Sequence, residues 1–312
     1  MGALNMNMNM NMNMNMNMAA GGSSVGGAGT RVRFNTHDYR KMLAMTGTTI
    51  TDALVPGTVG SMRFPAYWDA DLRSYEYLQE FLLNNTNWLT QLTATTSGLD
   101  WTPPHNLPAT QLNGELQQML DAALDRDDRF AEIIDQHEAE GAISYFLGML
   151  MIDPNRMPAA NLLIRVARRI GEHVVMCLKG KYRCPRPSQL CSAIVPMVDP
   201  PATPSFPAGH SLQARLIAVC LEAAMAPVPA DPPGTTPSSL PVHLLRNLAD
   251  RIGQNRIVAG LHYPKDNLIG KGAADWIYDH LLSPLAPTSE FKKLLRAAHT
   301  DLLHKSPDQP LP

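Results

Sequence analysis

The stretch PAGHSLQARLIAVCLEAAM, residues 207–225, decides the fold. From His210 onward Ala, Leu, Ile, Val and Cys fall on almost every side of a helical repeat, with Gln213, Arg215 and Glu222 as the polar interruptions. A helix apolar all round must be packed all round, so this segment is expected at the centre of a helical protein. Leu212 to Ala226 is too short and too often interrupted to cross a bilayer. Gly209 ends the extended approach and places His210 in the first turn, where free N–H groups and the positive end of the macrodipole favour an anion.

Working outward, the segment Ala159 to Leu178 sets Leu163, Ala167, Ile170, Val174 and Leu178 along one face, with Arg165, Arg168, Arg169 and Glu172 on others. Gly180 is the expected stop of this amphipathic helix, which leaves Lys179 at its end and Arg186 in the next loop. Seven prolines between residues 183 and 207 keep the following connection extended. Downstream, a second Pro-rich loop, Pro227 to Pro241, precedes a helix with Leu245, Leu248 and Ile252 inward. Arg256 falls four residues beyond Ile252 on that same face, a costly place for a guanidinium without an anionic partner. Pro264 suits the first position of another helix, with His262 just before it and Asp266 in its first turn. Helices are expected over Pro264–Leu282 and Thr288–His304, and helical periodicity also runs through residues 70–97, 110–137 and 139–152. No hairpin signal accompanies them. The expected fold is one all-α domain from residue 31 to 312, a helix bundle.

Residues 5–18 are seven Asn-Met repeats and residues 19–30 are rich in Gly, Ser and Ala, so residues 1–30 read as a disordered leader: identical repeats cannot set a strand register. The 26 basic and 28 acidic residues leave a formal charge of -2, which excludes a bulk field for nucleic acid or anionic membrane and makes any anion site local. Neither a signal peptide nor a membrane-spanning run is read, so a soluble, cytoplasmic protein is expected. Cys177, Cys184, Cys191 and Cys220 make no metal-binding spacing and are expected as reduced thiols, with a Cys184–Cys191 bridge left open only for an exported protein.

The chemistry-bearing residues form an ordered set: Lys179 and Arg186 in KGKYRCPRP, then Ala208, Gly209 and His210 in PAGH, then Arg256, His262 and Asp266 in NRIVAGLHYPKD. Three cations, two imidazoles and a carboxylate suit a tetrahedral oxyanion, because the cations neutralise peripheral oxygens while one His attacks and another moves protons. This arrangement resembles the type 2 phosphatidic acid phosphatase and vanadium haloperoxidase superfamily, whose signature reads K-x6-R-P, P-S-G-H and S-R-x5-H-x3-D. All spacings fit over roughly residues 160–283. Ala208 and Asn255 depart from it, each standing where the family has Ser.

The resemblance implies a helix bundle of that superfamily's type. It makes His262 the nucleophile that forms a phosphohistidine, or the axial ligand of vanadate, with Asp266 fixing its tautomer. His210 becomes the general acid and then base, and Lys179, Arg186 and Arg256 clamp the equatorial oxygens. Ala208 lacks the usual hydroxyl, but its N–H and that of Gly209 are expected to remain for the anion, at a loss of roughly 1.5–3 kcal/mol for one charge-assisted hydrogen bond. Lys181, Arg183, Arg165, Arg168 and Arg169 read as solvated, and the remaining histidines as surface or core positions.

Two activities share that pocket. A phosphatase would need no cofactor and would take a small phosphomonoester; a haloperoxidase would need vanadate, halide and peroxide. Thr203 stands where haloperoxidases place a His or Phe, and an aromatic content of 6% offers little halide shelter, so the phosphatase reading leads. A third reading, an impaired member that only binds an oxyanion or a partner, follows from Ala208 and Asn255. Family habit implies a homodimer.

Overall fold

The computed structural model describes residues 68–137, 140–226 and 242–303. The Asn-Met leader, residues 31–67, the Pro227–Pro241 loop, His37 and His304 lie outside them. Eleven α-helices occur among the described residues, with no strand: α1 (Ala70–Asn84), α2 (Trp88–Leu92), α3 (Ala109–Ala122), α4 (Arg126–Asp135), α5 (Gly141–Met149), α6 (Pro158–Tyr182), α7 (Pro187–Leu190), α8 (Gly209–Met225), α9 (Val242–Val258), α10 (Pro264–Ile277) and α11 (Glu290–Leu303).

The all-round apolar helix is central as its composition requires. Leu212, Ala214, Leu216, Ile217, Ala218, Cys220 and Leu221 of α8 are all buried, and α8 packs on α6, α9 and α10. α6 carries a second side of the core against α1 and α11. Helix ends are tied across the bundle: Asp301 of α11 accepts from the N–H groups of Ala159 and Ala160 at the start of α6, and Glu80 of α1 accepts from those of Glu290 and Phe291 at the start of α11. Each carboxylate satisfies donors that a helix leaves unpaired and faces the positive end of its dipole.

Two expectations are corrected. Gly180 does not stop α6: the helix runs through it to Tyr182 and ends where Arg183 adopts a left-handed φ of 47°. Packing overrides the glycine, because Tyr182 stacks on Trp101 at 5.6 Å and meets Phe206 edge-on at 5.2 Å. Arg169 is not on a solvated face but 5% exposed, bonded to Asp71, Ser74 and Glu172, and so it joins α1 to α6. The helix expected over Pro264–Leu282 is found, with α10 starting at Pro264 and its last turn, Tyr278–Leu282, π-helical. The four cysteines are free, Cys184 and Cys220 buried among apolar neighbours that push their thiols above the usual range.

Candidate functional site

The site collects at the ends of α4, α6 and α9, the starts of α8 and α10, and the loops between them. Lys179 in the last turn of α6, Arg186 before α7, Arg256 near the end of α9, His262 and Asp266 are all buried, while His210 at the start of α8 is half-buried. The two imidazoles each sense Lys179 and Arg256, and His262 also senses Arg186 and His210, so these five groups and Asp266 form one electrostatic cluster.

His262 is set by its neighbours. Its Nδ1 lies 3.0 Å from Asp266 Oδ2, and its Nε2 lies 3.0 Å from Arg186 Nη1, a donor that can only face a lone pair. The ring therefore carries its proton on Nδ1 and its lone pair on Nε2. Asp266 Oδ2 also accepts from the Ser205 hydroxyl and, at 3.1 Å, from the Tyr263 N–H, which puts three donors on a single carboxylate oxygen. Burial holds His262 well below its ordinary value, helped by Arg186 and Lys179. Burial likewise raises Asp266 to about 7, against the pull of Ser205, Lys179, the Tyr263 N–H and Arg186.

The loop between α7 and α8 holds the first two cations. Lys179 Nζ donates to the carbonyls of Pro204 and Ser205, and Arg186 donates from Nε to the Thr203 carbonyl at 2.9 Å, from Nη2 to Thr203 Oγ1 and from Nη1 to the Leu261 carbonyl. Burial, then Arg186, lowers Lys179 to about 7, and burial lowers Arg186 to about 10, a value at which it stays cationic at neutral pH.

Arg256 is different. It is fully buried and donates from Nη2 to the Ile133 carbonyl at 3.1 Å, but its Nε and Nη1 donors have no partner among the described residues. Burial lowers it to about 10, and no described carboxylate offsets that drop. As ionised groups, three cations thus face one carboxylate in a largely buried region, an arrangement that costs several kcal/mol per uncompensated ion and would be relieved by an anion.

The end of α9 is built to hold this geometry. Gly260 takes a φ of 75°, open to glycine alone at low cost, and a side chain there would press on Arg126 and the Val195–Pro196 backbone. Arg126 itself donates to the Val258 and Val195 carbonyls, and the Met197 N–H to the Ala259 carbonyl, so the chain leading into His262 is fastened on both sides.

Among the residues expected from sequence, Ala208 needs correction. Its N–H donates to the Asp266 carbonyl at 3.0 Å and is not free for an anion, which leaves the helix-starting Gly209 as the backbone donor of that pair. Sequence reasoning missed Ser205, which orients Asp266 and lies 3.3 Å from His262 Nδ1, and read Thr203 only as a missing aromatic, not as the residue that braces Arg186 with both its carbonyl and its hydroxyl. Both stand in the PATPSFPAGH run, but only the fold shows that their polar atoms turn inward. It also missed that scarce aromatics gather: Trp101, Tyr182 and Phe206 pack together beside the loop that carries Ser205. No group of His, Cys, Asp and Glu among the described residues could hold a metal ion, and no helix among them is long and apolar enough to cross a membrane. No family profile matches the chain, and no curated protein matches it.

Proposed function

We propose that this cluster is an oxyanion site and that the protein hydrolyses a phosphomonoester through a phosphohistidine at His262, as the superfamily resemblance implies. The observation that carries the reading is Arg256: a wholly buried guanidinium with two donors unpaired among the described residues would be stabilised by an anion beside it. Phosphate supplies the oxygens that Arg256, Arg186 and Lys179 can neutralise.

In the proposed reaction the Nε2 lone pair of His262 forms a bond to phosphorus as the ester P–O bond breaks, and Asp266 stabilises the charge that develops on the ring through Nδ1–H. Arg186 Nη1 leaves Nε2 for a phosphate oxygen in the same movement. The departing alkoxide takes a proton from His210, which then removes one from the water that cleaves the P–N bond. His210 is neutral in the resting protein, lowered to about 3 by burial and by Arg256, so a bound dianion must first raise it. Phosphate binding is accordingly coupled to proton uptake.

One observation favours a second reading. The Trp101, Tyr182 and Phe206 cluster supplies the apolar aromatic surface that composition alone did not promise. Vanadate would be held by His262, Lys179, Arg186 and Arg256, and would supply the peroxide activation that halide oxidation requires.

Purified protein incubated with p-nitrophenyl phosphate, and separately with vanadate, peroxide, bromide and a phenol dye, separates the two. Phosphate release that is lost in His262→Ala supports the hydrolase, and bromination without phosphate release replaces it with the second reading. Phosphate binding without either turnover leaves an anion-binding protein, and the absence of phosphate and vanadate binding refutes the oxyanion site.

A further inference from the structure

The last turn of α4 lies outside every motif that marks the site, yet two of its carbonyls reach site residues. Ile133 accepts from Arg256, and Gln136 accepts from His210 Nε2 at 3.1 Å. A carbonyl can only accept, so this bond puts the His210 proton on Nε2. The carbonyls at a helix C-terminus carry partial negative charge, which suits them to donors of this kind.

What holds that turn in place is Asn255, the residue directly before Arg256. Asn255 is wholly buried and spends its side chain on α4: Nδ2 donates to Gln136 Oε1 at 2.9 Å and to Glu132 Oε2 at 3.0 Å, and Oδ1 accepts from Arg129 Nη1 at 3.1 Å. Gln136 is equally buried, and its own N–H closes the helix on the Glu132 carbonyl at 2.9 Å. A serine at position 255 has one hydroxyl proton and could not donate to both Glu132 and Gln136. The two-donor amide therefore does something a serine cannot.

We infer that Asn255 and Gln136 form a positioning pair that locks His210 in a single tautomer, with the proton on Nε2 and the lone pair on Nδ1. Asn255 holds the Gln136 amide, the Gln136 carbonyl holds Nε2–H, and Nδ1 is left as the nitrogen that takes and gives protons. The same pair steadies the turn whose Ile133 carbonyl accepts from Arg256, so this junction of α9 and α4 sets both a proton carrier and an anion ligand. The consequence for turnover rests on the proposed role of His210. The tautomer does not.

Long-range proton–nitrogen correlation spectra of the full chain with labelled histidine, at neutral pH, test this directly. His210 is expected wholly in the Nε2–H form in the native sequence and as a mixture of tautomers in Asn255→Ala and in Gln136→Ala. The double variant is expected to resemble either single one, because both act through one contact. If either alanine variant fails to fold, Asn255→Ser, which keeps one donor, carries the same expectation of a mixture. A native His210 found in the Nδ1–H form or as a mixture overturns the inference, as do folded variants that retain one tautomer. A protein with no phosphatase activity but a locked Nε2–H ring would remove the proposed reaction and leave the positioning pair standing.

Discussion

At the residue scale, the cost of the buried cations is the property most open to measurement. Burial lowers Arg256 to about 10, so its charge opposes the anion-free fold. Arg256→Met, similar in length and without charge, is therefore expected to raise the thermal midpoint of the phosphate-free protein while abolishing the rise expected on adding phosphate. A variant that is destabilised and still responds to phosphate contradicts the assignment of Arg256 as an anion ligand. His210 gives the opposite kind of signal. Its folded value near 3 lies below its ordinary 6.5, so the native state binds fewer protons than the unfolded chain between those values. The stability this confers is present above pH 6.5 and is lost as pH falls toward 3. Urea unfolding of His210→Gln compared at pH 7 and pH 4.5 is expected to show a smaller acid loss than the native protein.

At the element scale, the site depends on helix ends meeting, and those ends are fixed by features remote from the chemistry. Gly270 on α10 lies so close to the site loop that a methyl group there would sit 2.7 Å from the Ala208 carbonyl oxygen and 3.2 Å from Ser211 Cβ. Backbone cannot swing aside as a long side chain can. Gly270→Ala is expected to lose about 1–3 kcal/mol in chemical unfolding and to weaken phosphate binding, because Ala208 is tied to Asp266 across the same contact. Asp301→Ala makes the contrasting case. It removes the cap of α6 at the end far from Lys179 along the helix, and is expected to cost about 1 kcal/mol with phosphate affinity unchanged.

At the scale of the whole molecule, one helix packed all round spans both the core and the site. α8 begins with His210 in the cluster and continues into the apolar centre, where Leu216 is fully buried. Leu216→Ala is expected to cost about 2–5 kcal/mol, with the phosphate-dependent stabilisation of whatever protein remains folded undiminished. Ligand stabilisation follows occupancy: phosphate at about 100 times its dissociation constant should add roughly 2.7 kcal/mol. Failure of added phosphate or vanadate to move the midpoint at any concentration would count against the entire charge-compensation argument.

The amino-acid sequence by itself determined the helical class, the central place of α8, the helix start at Pro264 and the set of cations and imidazoles near the site. Each of these follows from local periodicity, proline geometry or motif spacing, which depend on neighbours along the chain. The sequence alone could not show that α6 runs past Gly180, that Arg169 is buried in an ion-pair network, or that the Ala208 N–H is already used. It also could not show that Ser205 and Thr203 turn their polar atoms into the site, or that Asn255 braces the Gln136 turn that meets His210. Those outcomes depend on which groups meet across the bundle, such as Tyr182 against Trp101 and Asn255 against Gln136, partners 81 and 119 residues apart. Burial then decides the electrostatics: the same lysine that would be an ordinary cation in water falls to about 7 when it is buried beside an arginine and two loop carbonyls.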